Sequence, residues 1–145
     1  WKELSNGVPG RFHGDFHFEN IIFSKNSFHL IDWRQNFGGG IEFGDIYYDL
    51  AKLMHGLLVS HEIVEKNQYK VTNSENKYKV SIKYKQKLLK FKFAFEKWLE
   101  ENNYSKKRVM ILTALIYLNI SPLHHYPYNN FLFLYGKKML SDLVE

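Results

Sequence analysis

The chain has 145 residues, 45% of them hydrophobic, with 12 Phe and 10 Tyr. That composition excludes a disordered polymer and supplies one core-forming domain. It contains no cysteine, which excludes a disulfide framework and a thiolate zinc site and fits a reducing, cytoplasmic setting. The net charge of +5 raises the question of nucleic acid, but much of it lies between Lys66 and Lys107, where lysines alternate with aromatic and aliphatic residues as on solvated faces. Only Arg34 and Arg108 follow Arg11, too few bidentate readers for a nucleic-acid partner.

In chain order, Gly7, Pro9 and Gly10 mark a turn before Arg11 to Phe23. Ile21 to Phe23, a polar turn Ser24 to Ser27, and Phe28 to Ile31 predict a β-hairpin, with Asp32-Trp33-Arg34 at its end. Gln35 to Gly44 holds four of the nine glycines and reads as a loop. Asp45 is placed to cap a helix to about Glu65, with apolar positions Ile46, Leu50, Leu53, Leu57 and Leu58. Tyr69 to Tyr84 alternates and predicts a second hairpin turning at Asn73 to Asn76, with Tyr78, Val80, Ile82 and Tyr84 on one face.

Gln86 to Glu101 returns to helical period through Leu89, Phe93 and Trp98, and Ser105 opens an apolar core helix to about Ile120. The longest apolar run, Val109 to Leu123, has 15 residues and includes Asn119, Ser121 and Pro122, too short and polar for a membrane span. A last helix is expected from about Asn129 to Val144, and there is no internal repeat or second domain.

The chemistry concentrates in His13-Gly-Asp15-Phe-His17-Phe-Glu-Asn20, followed by Asp32 in Leu30-Ile-Asp-Trp33. Asp15 and Asn20 share a loop, and the hairpin returns Asp32 beside them. Two carboxylates and an amide oxygen then converge. Phosphoryl transfer uses such a set: one carboxylate takes the proton of an attacking hydroxyl, while an amide and a carboxylate hold Mg²⁺ against phosphates. Asp49 borders the buried face of its helix, three residues from Ile46 and four from Leu53, where a carboxylate needs donors.

The pattern H-x-D-x4-N, then a hairpin ending in Asp, resembles the catalytic and metal-binding loops of protein-kinase-like enzymes. His-Gly-Asp-x-His-x-x-Asn, Ile31-Asp32-Trp33 and Gly44-Asp45-x-x-Tyr48-Asp49-Leu-Ala51 are similar to the aminoglycoside phosphotransferase and choline kinase group. The resemblance implies an α+β, mainly helical, protein-kinase-like C-terminal lobe whose hairpin carries the metal site. It implies ATP-dependent transfer to a hydroxyl of a small molecule, with Asp15 as catalytic base and Asn20 and Asp32 as Mg²⁺ ligands. His13 and Asp49 would support the loop. His17, Arg34, His124 and His125 are candidate substrate or phosphate contacts, although packing, a surface ion pair or a polar turn accounts for each as well.

No Gly-x-Gly-x-x-Gly loop or strand Lys precedes His13, and Gly39 to Asp45 lacks the Lys of a P-loop. The chain is therefore expected to be one domain over 1–145, a C-terminal lobe inactive without its ATP-gripping N-terminal lobe. The Gln35 to Asp45 loop resembles kinase domains attached to sugar nucleotidyltransferases in bacterial surface-polysaccharide pathways. Two other readings compete. One is a metal-dependent hydrolase using His13, Asp15 and His17; the other is a non-catalytic kinase-like binding module.

Overall fold

The computed structural model describes residues 2–36, 38–40, 42–75 and 77–144. It is α+β and mainly helical, with three two-stranded antiparallel sheets. β1 (Pro9–Gly10) pairs with β4 (Gly44–Asp45), β2 (Ile21–Ser24) with β3 (Ser27–Leu30), and β5 (Tyr69–Ser74) with β6 (Lys77–Ile82). The helices are α1 (Ile46–Leu58), α2 (His61–Glu65), α3 (Gln86–Glu101), α4 (Lys106–Ile120) and α5 (Tyr128–Val144).

The core lies where α4 packs between α1 and α5. Met54, Leu99, Val109, Ala114, Tyr117, Phe131 and Leu132 are fully enclosed there. Each large apolar side chain removed from water contributes about 1.5–3 kcal/mol, so this contact dominates the fold. α4 is apolar on nearly all sides because it has helices on two flanks. Its N-terminus is capped by the Ser105 hydroxyl, which accepts from the Arg108 N–H at 3.2 Å.

Asp45 caps α1, its Oδ1 accepting from the Tyr47 N–H at 3.1 Å and from the Val8 N–H at 3.2 Å. The buried Arg108 donates to its Oδ2 at 2.7 Å and stacks over the Tyr47 ring, 4.2 Å from the centroid. One carboxylate therefore joins the N-terminal segment, α1 and α4.

Several sequence expectations are corrected. The helix predicted from Asp45 to Glu65 is two helices, broken at Val59 and Ser60, both extended. The break lets Val59 and Ile63 both enter the core, at 4% and 0% exposure. On α3, Phe93 and Trp98 face solvent, at 63% and 44% exposure, while the buried face carries Glu96 and Leu99. That phase is tolerated because Glu96 is paired with Lys92 at 2.7 Å and Lys106 at 3.1 Å.

In the second hairpin, Val80 and Ile82 pack on the core while Tyr78 is exposed where the ribbon runs past it. Its strand extends through Ser74, so the turn is tighter than expected, and Asn76 lies outside the described residues. The first hairpin turns through Lys25 and Asn26, with φ of 50° and 60°, the left-handed pair that suits a two-residue loop. The β1–β4 pairing falls in segments read as turn and loop. In the Gln35 to Gly44 loop, Phe37 lies outside the described residues, as does Ile41.

Candidate active site

The site is built on the stretch between β1 and β4. The Asp49 carboxylate, 6% exposed on the first turn of α1, accepts from the backbone N–H of His13 at 2.6 Å and of Gly14 at 2.8 Å. Gly14 has φ of +81°, and a Cβ there would come within 2.5 Å of the Arg34 Cβ and 2.9 Å of the Phe12 ring. Only glycine permits both that backbone and that approach.

The buried His13 ring accepts the Asp15 N–H at Nδ1, 3.2 Å away, so Nε2 carries the proton and donates to the Ile31 carbonyl at 2.8 Å. The Ile31 N–H donates to the Asn20 carbonyl at 3.0 Å, and the Arg34 N–H donates to the His13 carbonyl at 2.9 Å. These bonds lock the loop holding Asp15 to the hairpin end holding Asp32. With both His13 nitrogens occupied by backbone, His13 is not free to share a metal with Asp15 and His17, which counts against the hydrolase reading.

Asp15 sits on the wall of the loop. Its Oδ1 is 2.5 Å from the Lys52 ammonium and its Oδ2 is 3.4 Å from His17 Nε2. His17 also meets the Glu19 carboxylate through Nδ1 at 2.6 Å. Partial burial raises the Asp15 carboxyl, but the hydrogen bond and charge of Lys52, reinforced by His17, outweigh it and leave it below the usual carboxylate range. Asp15 is thus an anion at neutral pH.

Asn20, 6% exposed, closes a 3₁₀ turn (Phe18–Asn20) and donates from Nδ2 to the Asp15 carbonyl at 2.9 Å. That bond orients the amide and leaves Oδ1 without a hydrogen-bond partner among the described residues. Asp32 follows the hairpin with φ of +57°, exposed, one residue beyond the Ile31 bond to Asn20. Among the described residues no group of three or more His, Asp or Glu converges on a metal position. An amide oxygen and a carboxylate fit a hard cation that keeps most of its waters, as Mg²⁺ does.

Arg34 is exposed and lies over the Tyr48 ring, 5.6 Å from its centroid. His124 lines a cavity of about 850 Å³ that also reaches His17, Phe18, Glu19 and Lys52, whereas His125 does not line it. Two residues here were not singled out from the sequence, Lys52 and His55. They stand three residues apart on α1, on the side that meets the loop, and Asp49, Lys52 and His55 recurring every third residue of a mainly apolar helix were the available signal. The His55 ring nitrogens are both buried without a partner. Burial, then the charges of Lys52 and His17, push its pKa down to about 3, so the ring is neutral.

No described helix is long and apolar enough to cross a membrane. No curated protein and no solved structure matches the chain significantly. The sequence model of the phosphotransferase enzyme family matches residues 1–68, which contain the Asp15 loop, the hairpin with Asp32, and α1 with Asp49 and Lys52. The segment that builds this site is thus the part of the chain that is similar to the phosphotransferase enzyme family.

Proposed function

We propose that the chain supplies the base and the metal-holding groups for transfer of the γ-phosphate of ATP to a hydroxyl of a small molecule. The observation that carries this reading is the anionic Asp15, gripped by Lys52 and His17, two residues that line the cavity, and hydrogen-bonded through its carbonyl to Asn20. The acceptor hydroxyl donates to the Asp15 carboxylate, which orients its oxygen toward the γ-phosphorus. As the new P–O bond forms and the bond to the β-phosphate oxygen breaks, the hydroxyl proton passes to Asp15. A carboxylate of low basicity suits a loose transition state, in which the hydroxyl loses its proton late.

Asn20 and Asp32 would hold Mg²⁺. When bound, the ion offsets the charge of the phosphates. Asp49 and His13 act at one remove, fixing the loop so that the reacting oxygen is already positioned. Lys52 keeps Asp15 ionised and limits its rotation.

We place an ATP-gripping lobe against the first hairpin, where Phe23 and Phe28 are 61% and 72% exposed near its turn and Trp33 is 53% exposed at its base. An apolar patch of that kind calls for a cover. The decisive test is ADP release with ATP, Mg²⁺ and a panel of small alcohols, comparing wild type with Asp15→Asn. Acceptor-dependent release lost in the variant supports the reading, and equal release in both refutes it.

A further inference from the structure

The cavity of about 850 Å³ is walled by the loop from His17 to Glu19, α1, α2, the start of α3 and the junction of α4 with α5. Its ionic groups satisfy one another. Glu19 binds His17 Nδ1 at 2.6 Å, Lys52 binds Asp15 at 2.5 Å, Glu62 holds both Lys66 and Lys85, and His61 meets Glu65 at 3.2 Å. His55 offers the cavity only ring carbon, since both its nitrogens are buried. Lys87 has no carboxylate partner among the described residues, but one exposed lysine does not make an anion site. A charged ligand would have to break an existing pair to gain a partner, so the wall selects against charge of either sign.

What remains for a ligand to cover is apolar. Phe18 of the 3₁₀ turn, Val64 of α2, Leu88 and Phe91 of α3, Ile120 at the end of α4 and Tyr128 at the start of α5 all reach the cavity. Leu88 and Phe91 stand three residues apart and so share one side of their helix. Gly56 makes room for Phe18 against α1, because a Cβ there would come within 2.9 Å of the ring. Phe18 and Phe91 are nonetheless exposed, and burying such rings is the largest gain this wall can offer.

The same cavity leads to the proposed base. Lys52 and His17 line it, and both hold the partly exposed Asp15 carboxylate, at 2.5 and 3.4 Å. A ligand seated on the apolar wall and extending past these two side chains would bring a hydroxyl to Asp15.

We propose that the cavity takes a neutral alcohol with an apolar or aromatic ring body, the ring against Phe18, Leu88 and Phe91 and the hydroxyl directed at Asp15. The inference rests on the phosphotransfer reading and goes beyond it by naming the acceptor class. Such a pocket, mostly apolar with a few polar groups at one end, fixes a ligand by its body and orients it by its hydroxyl.

The test is ligand-detected NMR or calorimetric binding of tryptophol, phenethyl alcohol, sorbitol, choline and gluconate to the protein. The two ring alcohols should bind at least ~10-fold more tightly than the other three, a ratio within what burial of one ring supplies. Their binding should persist in ~1 M NaCl, which screens charge contacts. Phe91→Ala should weaken it at least ~5-fold, and Lys87→Met should leave it within ~2-fold of wild type. Sorbitol, choline or gluconate binding as tightly as the ring alcohols overturns the proposal. So does loss of ring-alcohol binding in salt or in Lys87→Met, an unaffected Phe91→Ala, or no ring-alcohol binding at ~10 mM. The two layers fail separately. Asp15-dependent ADP release with sorbitol or choline, but with neither ring alcohol, would sink the apolar acceptor site and keep the phosphotransferase. Ring-selective binding with no Asp15-dependent ADP release from any acceptor would do the reverse.

Discussion

Replacing Asp49 with alanine removes one acceptor group from two buried donors, the N–H groups of His13 and Gly14. A hydrogen bond to a charged group contributes roughly 1.5–3 kcal/mol, so the pair amounts to about 3–6 kcal/mol. The variant no longer bears the desolvation cost of a buried carboxylate, which returns part of that sum. A net loss of about 3 kcal/mol is expected. At this chain length each kcal/mol moves the midpoint by roughly 3 °C, so Tm should fall by about 10 °C. Asp49→Asn offers no rescue, because its amide keeps one acceptor oxygen and turns N–H donors toward the second backbone N–H. Thermal unfolding followed by circular dichroism gives Tm, and hydrogen exchange at the His13 and Gly14 amides reports the loop directly. A Tm within about a degree of wild type, with both amides as protected as before, would refute the accounting.

Four further outcomes are expected. Asp15→Asn should lower kcat by at least ~10²-fold with little change in nucleotide affinity, the scale of a lost general base; near-wild-type turnover would remove Asp15 from that role. Asp32→Ala should weaken Mg²⁺-dependent nucleotide binding as well as turnover, and Asn20→Ala should do so more mildly; unchanged nucleotide affinity at limiting Mg²⁺ contradicts the metal assignment. Gly14→Ala should displace the loop, because its φ of +81° and the nearby Arg34 Cβ leave no room for a methyl group; wild-type kcat and Tm together would count against this. His55 should make stability pH-dependent: held neutral to about pH 3 when folded, it takes a proton below about pH 6.5 when unfolded. Its contribution is therefore full above that value and falls as pH drops, by about 2 kcal/mol at pH 5, and a denaturation series in which His55→Phe keeps the same pH slope would contradict it.

What could be read from the sequence follows how local each signal was. The Asp45 cap, the Lys25–Asn26 turn and the apolar α4 depend on neighbours within a few residues, and all three appear. The phase of α3 did not, because Phe93 and Trp98 are apolar yet face solvent while Glu96 is buried on partners from α3 and α4. Apolar character alone cannot show that a carboxylate will win the inner face. Nor could the break at Ser60, which is decided by Val59 and Ile63 both reaching the core. At the candidate site, the burial of Asp49 was legible from its distance to Ile46 and Leu53. The contact of Lys52 with Asp15 was not, since it joins residues 37 apart and needs the docking of α1 on the loop.

The short ladder between Pro9–Gly10 and Gly44–Asp45 has a mechanical meaning. It acts as a clasp at the neck of an excursion from residue 11 to 43, and past Asn20 that excursion buries no described residue. The helices would keep their core if the clasp sprang open. The reactive groups would be lost first, and reversibly, while the body of the molecule stayed folded. Activity should then vanish on warming before the helical signal does, and the gap between the two curves would measure the strength of the clasp. Asp45 and Arg108, tied together behind it, are the rivets to weaken in order to widen that gap.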